Sequence, residues 1–230
     1  NVAPGEKKLE ALNYYTNEIV SIPLDPVRTP QENAQRYFAK YNKQKRTFEA
    51  LSELIQETAD EIRYLESVSN SLDIALSEAD LGQIKEELTA SGYVRRKFTK
   101  KKVKLTNKPM HYISSDGYDI YVGKNNIQND ELTFSFANGG DWWFHAKGAP
   151  GSHVIVKTNG DELPDRTFEE AGRLAAYYSK NRGSDKVEID YIEKKHVKKP
   201  NGAKPGFVVY YTNYSLVIDS DISNIKVVQD

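Results

Sequence analysis

The 230-residue sequence predicts an α+β protein: a long coiled-coil helix followed by a mixed, largely antiparallel α+β domain. Three observations predict it. A heptad-spaced apolar series runs through residues 31 to 81 without a single Gly or Pro. After Met110 the pattern changes to short apolar runs separated by turn residues. One amphipathic helical stretch, from Thr167 to Tyr178, interrupts those runs.

Residues 1–28 read as a small β element of a middle region. Leu9 to Tyr15 and Ile19 to Leu24 flank Thr16-Asn17-Glu18, a hairpin turn. Pro23, Pro26 and Pro30 exclude a helix before residue 29. Residues 29–92 then read as coiled-coil helices. Thr29 is an N-cap, Pro30 sits at the first helical position, and Glu32 completes a Thr-x-x-Glu capping box. Tyr37, Tyr41, Gln44, Phe48, Leu51, Ile55, Thr58, Ile62, Leu65, Val68, Leu72 and Leu76 follow in steps of four and three. That spacing places one apolar seam along a helix of about 40 residues, about 60 Å long. A shorter helix, Glu78 to Ser91, offers Leu81, Ile84 and Leu88, with Gly92 as its C′ residue, and covers only a fraction of the seam. The remainder calls for a partner helix from upstream sequence or for self-association.

Residues 93–109 form a basic connector. Between Val94 and Lys108 lie Arg95, Arg96, Lys97, Lys100, Lys101, Lys102, Lys104 and Lys108, with no acid. Residues 31–92, by contrast, hold 12 acids and 7 bases. The overall balance, 32 basic against 33 acidic residues, therefore hides a strong local field. The connector reads either as a solvated link or as a strip that tracks phosphates.

Residues 110–230 form the α+β domain. Strands are expected at Tyr118 to Val122, Leu132 to Phe136, Trp142 to His145, His153 to Lys157, Val187 to Ile192, Phe207 to Tyr211 and Tyr214 to Ile218, the last two joined by a turn at Thr212-Asn213. The helix between them begins with a second capping box, Thr167 and Glu170, and buries Phe168, Ala171, Leu174, Ala175 and Tyr178. Gly183 marks its stop.

Composition narrows function. Tyr 15, Phe 8 and Trp 2 supply enough large rings for a core and exclude a disordered chain. The absence of Cys removes disulfides, thiol nucleophiles and thiolate zinc sites, and fits a reducing cytosol. No apolar run is long enough to span a bilayer, so membrane insertion is not expected. A chain that starts at Asn1 and has Met110 as its single Met reads as a fragment or processed product.

Three loops concentrate polar groups. The first runs from Gly123 to Asp130, with Lys124, Asn125, Asn126, Gln128 and Asn129. Its carboxamides suit base edges, sugars or a backbone, and equally suit a turn that bonds to itself. The second, Trp142 to His153, alternates so that Trp143 and His145 share one sheet face opposite Trp142 and Phe144. Trp143 beside His145 reads as an exposed stacking platform, flanked by Lys147, Gly151, Ser152 and His153. The two histidines make a poor metal site without Cys or an acidic cluster, and Ser152 has no nucleophile elbow. The third, Lys194 to Gly206, holds Lys195, His196, Lys198, Lys199 and Lys204 in a Pro- and Gly-stiffened loop. Together with Arg95, Arg96, Lys97, Lys100, Lys101 and Lys102, these residues are the candidates for nucleic-acid binding. No enzyme, cofactor or metal is expected.

The segments Gly117–Thr133, Trp143–Val154 and Val197–Gly206 resemble the NFACT-R domain, and Ile22–Pro26 and Glu32–Lys43 resemble the middle and coiled-coil regions of the same bacterial NFACT family. The resemblance implies a C-terminal portion of a ribosome-quality-control factor. Such a factor binds obstructed large ribosomal subunits, their rRNA and tRNA, and supports alanine tailing of stalled chains. The missing N-terminal regions and first coiled-coil arm imply that this portion binds without supporting tailing. The same family is described as streptococcal fibronectin-binding adhesins, so a cytoplasmic protein with a second place at the cell surface is expected, with fibronectin as the alternative partner.

Overall fold

The computed structural model describes residues 2–3, 5–95 and 107–228. Arg96, Lys97, Lys100, Lys101 and Lys102 of the basic connector lie outside the described residues. The chain divides into two compact units, residues 1–60 and 61–230.

In the first unit, β1 (Lys8–Asn13) and β2 (Glu18–Pro23) form an antiparallel hairpin with Leu9 opposite Ile22 and Leu12 opposite Ile19. Asn17 turns the hairpin at φ +57°, a conformation Asn tolerates better than most side chains. Helix α1 (Pro30–Ile74) starts where the sequence places it. Thr29 Oγ1 accepts from the Glu32 N–H at 3.2 Å, and the Glu32 carboxylate accepts from the Thr29 N–H at 2.7 Å. Buried Asn33 accepts from the Asp25 N–H at 2.8 Å, and the Tyr37 hydroxyl donates to the Pro23 carbonyl at 2.6 Å. These bonds tie the hairpin to the first turns of the helix. Within residues 38–60 the seam is open among the described residues: Phe48 is 72% and Ile55 68% exposed.

The second unit opens with the last turns of α1. There Tyr64 and Val68 pack against Ile84 of α2 (Glu78–Ala90). Helix α2 carries a capping box that sequence reading passed over, Ser77 with Asp80. Gly92 follows it at φ +84°, as its expected role requires.

Seven strands build one sheet: β3 (Met110–Ile113), β4 (Asp119–Val122), β5 (Trp142–Ala146), β6 (Val154–Val156), β7 (Val187–Glu193), β8 (Tyr214–Ile218) and β9 (Lys226–Val227). Their order is β8-β7-β5-β6-β4-β3-β9, and every pairing is antiparallel. Two helices accompany the sheet, α3 (Asn126–Glu131) and α4 (Asp165–Tyr177). Residues Ala171, Leu174 and Ala175 of α4 cover Phe144, Val154 and Val156 on one face. The opposite face is also covered. Trp143, Ile155 and Ile192 pack with Leu132, Val197, Val208 and Tyr210. Burying both faces of a sheet between non-contiguous segments gives the domain two apolar layers rather than one.

Four sequence expectations change here. Leu132–Phe136 is a π-helical turn, not a strand, closed by the Ala137 N–H on the Leu132 carbonyl at 2.9 Å. Its alternating Leu, Phe and Phe imitate a strand, but the turn continues α3 directly. Phe207–Tyr211 forms no strand and makes one isolated bridge, Lys198 with Val209. Its expected partner, β8, pairs with β7 instead. The Thr167–Glu170 capping box does not form, because the N-cap of α4 is Pro164, three residues before Thr167. The freed side chains reach the β3–β4 turn: Glu170 accepts from the Ser115 N–H at 2.7 Å, and Thr167 donates to Asp116 at 2.8 Å.

Leu174→Ala, which opens a void beneath the sheet, is expected to destabilise the protein by about 2–5 kcal/mol in urea unfolding. Phe48→Ala is expected to change stability by less than about 0.5 kcal/mol, as exposed positions do. A large loss at Phe48 would contradict an unpartnered seam.

Candidate nucleic-acid interface

Helix α3 begins at the Asn-rich loop, and Asn125 is its N-cap, accepting from the Gln128 N–H at 2.9 Å. The loop carboxamides then turn inward. Asn125 Nδ2 and Gln128 Nε2 both donate to Gln83 Oε1 of α2, each at 2.8 Å. Asn126 Nδ2 donates to Glu87 Oε1 at 2.9 Å and to Ser67 Oγ of α1 at 2.8 Å. Asn129 Oδ1 accepts from the His153 N–H at 2.9 Å. All four side chains are at least 97% buried. The expectation that they read base edges is therefore corrected: their donors and acceptors are engaged within the fold, where they dock α2 onto the domain. Burial pushes the Glu87 carboxyl up, opposed by the Asn126 and Tyr64 hydrogen bonds.

Trp143 is also corrected. It is fully buried, so it is no exposed platform. Its ring stacks on His145 at 5.6 Å and meets His153 edge-on and Tyr210 at 5.1 Å each. The reason lies in the second covered face, which alternation along β5 alone does not reveal. Burial drives His145 down to about 4, against the raising effect of Gly151 and Ala146 backbone groups and the Asp190 charge. Burial and the neighbouring His145 push His153 well below the usual histidine range, and its Nδ1 shares a 2.8 Å hydrogen bond with Thr133 Oγ1. Both rings are neutral at pH 7. Buried Ser152 has no hydrogen-bond partner for its Oγ among the described residues. No group of three His, Asp or Glu there is arranged to hold a metal.

The candidate cations divide into two sets. Lys124 pairs with Asp80 at 3.1 Å. Lys199 pairs with Asp130 at 2.7 Å and donates to the Lys204 carbonyl at 2.6 Å. Lys204 lies over the Tyr64 and Tyr93 rings. These three are structural. Lys147 is exposed and pairs with Glu188. The short 3₁₀ turn Lys194–His196, anchored by buried Val197, presents exposed Lys195, His196 and Lys198, with Lys195 near Glu193. Lys198 has no carboxylate within ion-pair range among the described residues, and Arg95 is exposed. Lys194 joins the set through its place on the turn and its position over Phe134.

The loop that carries this turn is held in place. Asp130 accepts from Lys199 and from the Gly206 N–H at 3.0 Å. Gly206 adopts φ +82°, and a Cβ there would lie 2.5 Å from Asn126 Oδ1, so only glycine fits. Gly123 is constrained likewise, since its Cβ would meet Asn129 Oδ1 at 2.2 Å. Residues 206–210 form one wall of a cavity of about 310 Å³, with Trp143, His145 and Arg63 among its other walls. Sequence reading missed Phe207 and Tyr210 here because their aromatic run imitates a strand. The Tyr210 hydroxyl donates to buried Asp190 at 2.9 Å, and Ser215 donates to the same carboxylate at 2.6 Å.

The sequence pattern of the NFACT N-terminal and middle domains matches residues 1–107, and that of the NFACT protein RNA binding domain matches residues 108–212. A solved structure, the C-terminal part of the fibronectin/fibrinogen-binding protein from Streptococcus suis, superposes with a TM-score of 0.77 at 45% identity, covering 87% of this chain and 81% of that one. The chain belongs to the NFACT family. Relatives named Rqc2 homolog RqcH are 47% identical over 215 residues in Streptococcus suis and 42% identical over 226 in Bacillus subtilis. The match spans 93% and 96% of this chain but 38% and 39% of those relatives. Ribosome quality control complex subunit NEMF of Homo sapiens is 37% identical over 81 residues, 34% of this chain and 7% of that protein. The two NFACT matches meet between residues 107 and 108.

The depressed histidines give stability a signed pH dependence. Each stays neutral in the fold while its unfolded counterpart protonates near pH 6.5, so stability is complete above that value and is lost as pH falls below it, down to about 4 for His145. Melting temperature is expected to fall between pH 7 and pH 5, and His153→Asn is expected to flatten that fall while lowering stability at pH 7. An unchanged acid limb in the variant would contradict neutral buried rings.

Proposed function

We propose that this chain is the ribosome- and RNA-binding C-terminal portion of a ribosome-quality-control factor. The observation that carries the reading is the match of residues 108–212 to an NFACT RNA binding domain, with an exposed lysine turn inside that segment. The RqcH and NEMF relatives support the ribosome-quality-control role. On this reading the whole protein engages obstructed large subunits and tRNA in the cytoplasm and supports alanine tailing. This portion supplies grip rather than chemistry: it is not an enzyme. Lys194, Lys195 and Lys198 meet phosphates, and Lys147, Arg95 and the remaining connector cations extend the contact. The exposed α1 seam takes a partner helix, from the rest of the protein or from a second copy.

Phosphate neutralisation releases counterions, so affinity falls steeply with salt. Co-sedimentation with large ribosomal subunits is expected to weaken strongly between 50 and 200 mM salt, as such contacts generally do. Replacing Lys194, Lys195 and Lys198 together by Ala is expected to lower both the affinity and the salt slope by up to about three charge equivalents. Salt-independent binding would reject the mechanism.

A second reading is fibronectin binding, favoured by the solved Streptococcus suis structure that carries that description. The hairpin β1–β2, with Ile19 74% exposed, offers a strand edge for β-augmentation. Such capture would survive both high salt and the lysine replacements.

A further inference from the structure

A ladder of rings crosses the sheet towards its open edge. Strand register sets Phe144 opposite Tyr191 and Tyr191 opposite Tyr214, so the three side chains share one face of β5, β7 and β8. Phe144 and Tyr191 stack at 5.5 Å and 15°, and Tyr191 and Tyr214 at 5.6 Å and 28°. Trp142 flanks both tyrosines, at 5.8 Å from Tyr191 and 6.3 Å from Tyr214, and Phe168 of α4 meets Trp142 edge-on at 4.9 Å. Phe144 is buried, Trp142, Phe168 and Tyr191 are half-buried, and Tyr214 is 61% exposed. Strand β8 is the last in the sheet, and Tyr191 lies on the β7 side of Tyr214. The opposite side of the Tyr214 ring therefore faces past the sheet edge. Its partners hold that ring in place before any ligand arrives.

The ladder ends beside the lysine turn. Glu193 stands opposite Trp142 in the register and shares its face, and Lys195 pairs with Glu193 while 54% of the lysine side chain stays exposed. The turn is seated on the residues that precede Trp142. The Lys194 N–H donates to the Asp141 carbonyl at 2.8 Å, and the Lys195 N–H to the Gly139 carbonyl at 3.0 Å. Three residues of strand, about 10 Å, separate Tyr191 from Lys194. An exposed, pre-set ring thus adjoins a cationic turn in which Lys195 is balanced by Glu193 and Lys198 has no carboxylate in range among the described residues. An aromatic peptide side chain would stack on Tyr214 without using the ammonium groups. A bare phosphate chain would use the ammonium groups without the ring, and a duplex keeps its base faces stacked on one another. A single strand with an unpaired base uses both features.

We propose that Tyr214 is a stacking platform for one unpaired base of the bound RNA, with the Lys194–Lys198 turn holding neighbouring phosphates. This rests on the RNA-binding reading above and adds to it a preference for loops, bulges and unpaired ends over uniform duplex. The preference is one of shape, because every base has a face to stack and the ring reads no base edge. Tyr214 touches the base, while Tyr191 and Trp142 position its ring. The platform lies outside residues 108–212, which match the RNA binding domain.

The test measures the affinity of the intact 230-residue protein for three fluorescent probes. They are a single-stranded RNA hexamer, a ribose-phosphate hexamer of the same length without bases, and an RNA duplex. The RNA hexamer is expected to bind at least about fivefold more tightly than the base-free hexamer, the smaller effect of one stacked base, with the same salt slope. Tyr214→Phe, which keeps the ring, is expected to retain that ratio. Tyr214→Leu, which keeps an apolar strand side chain, is expected to bring it to about one and to leave duplex affinity unchanged. Tyr15→Leu removes a ring that is 99% exposed on the hairpin and is expected to change nothing. Equal affinity for the two hexamers, a ratio that survives Tyr214→Leu, or an equal loss in Tyr15→Leu would overturn the platform while leaving phosphate-driven binding standing. An aromatic hexapeptide that displaces the RNA hexamer from the unaltered protein would assign the edge to a peptide and overturn the platform as well. Absence of any RNA binding would overturn the platform and the functional reading together. The comparison between hexamers uses the unaltered protein, so it does not depend on a variant folding.

Discussion

The second unit depends on a set of hydrogen bonds that radiate from one short helix. Asn125, Asn126, Gln128 and Asn129 of the α3 loop reach α2, the last turns of α1 and the chain entering β6. Asp130, next in sequence, holds the lysine loop through Lys199 and Gly206. Buried polar groups of this kind are costly unless partnered, and here the partners come from widely separated parts of the chain, with Glu87 Oε2 alone of the Glu87 oxygens left without one among the described residues. The network therefore specifies one arrangement of those parts, and it explains why six residues of helix sit where a longer apolar element would ordinarily be used.

The consequences for function run through geometry. Asn126 meets both Glu87 and the space beside Gly206, so the same side chain docks α2 and limits how residues 206–210 can lie. Those residues wall the Trp143 cavity, and their bridge to Lys198 sets the position of the exposed cations. The turn at Lys194–Lys198 presents charge, while residues 206–208 and Tyr210 line a cavity that Arg63 and Glu66 also border.

Legibility in the sequence followed the range of the interactions. The Thr29–Glu32 capping box, the β1–β2 hairpin, the long α1 and the buried face of α4 rest on neighbours a few residues apart, and all could be read directly. Alternation correctly set Trp143 and His145 against Trp142 and Phe144 across β5. It could not say that the Trp143 face is covered, because Leu132, Val197, Val208 and Tyr210 come from outside that strand. The Asn-rich loop was ambiguous for the same reason: a carboxamide looks alike in sequence whether its partner is a base or a buried glutamine such as Gln83. Leu132–Phe136 and Phe207–Tyr211 misled because a period of two in apolar residues fits a π-turn or an irregular wall as well as a strand. The lysines of the third loop divided by acidic partners in the fold, Asp130 for Lys199 and none among the described residues for Lys198, which no spacing rule foretells.

The central claim is that the α3 carboxamides are a closed internal clamp and not a ligand-facing loop. Amide hydrogen exchange across residues 125–131 measures this directly. The account predicts protection comparable to that of the central strands β5 and β6, unchanged when RNA is added. Fast exchange in the free protein, slowed by RNA, would show that the loop serves the ligand and would contradict the clamp.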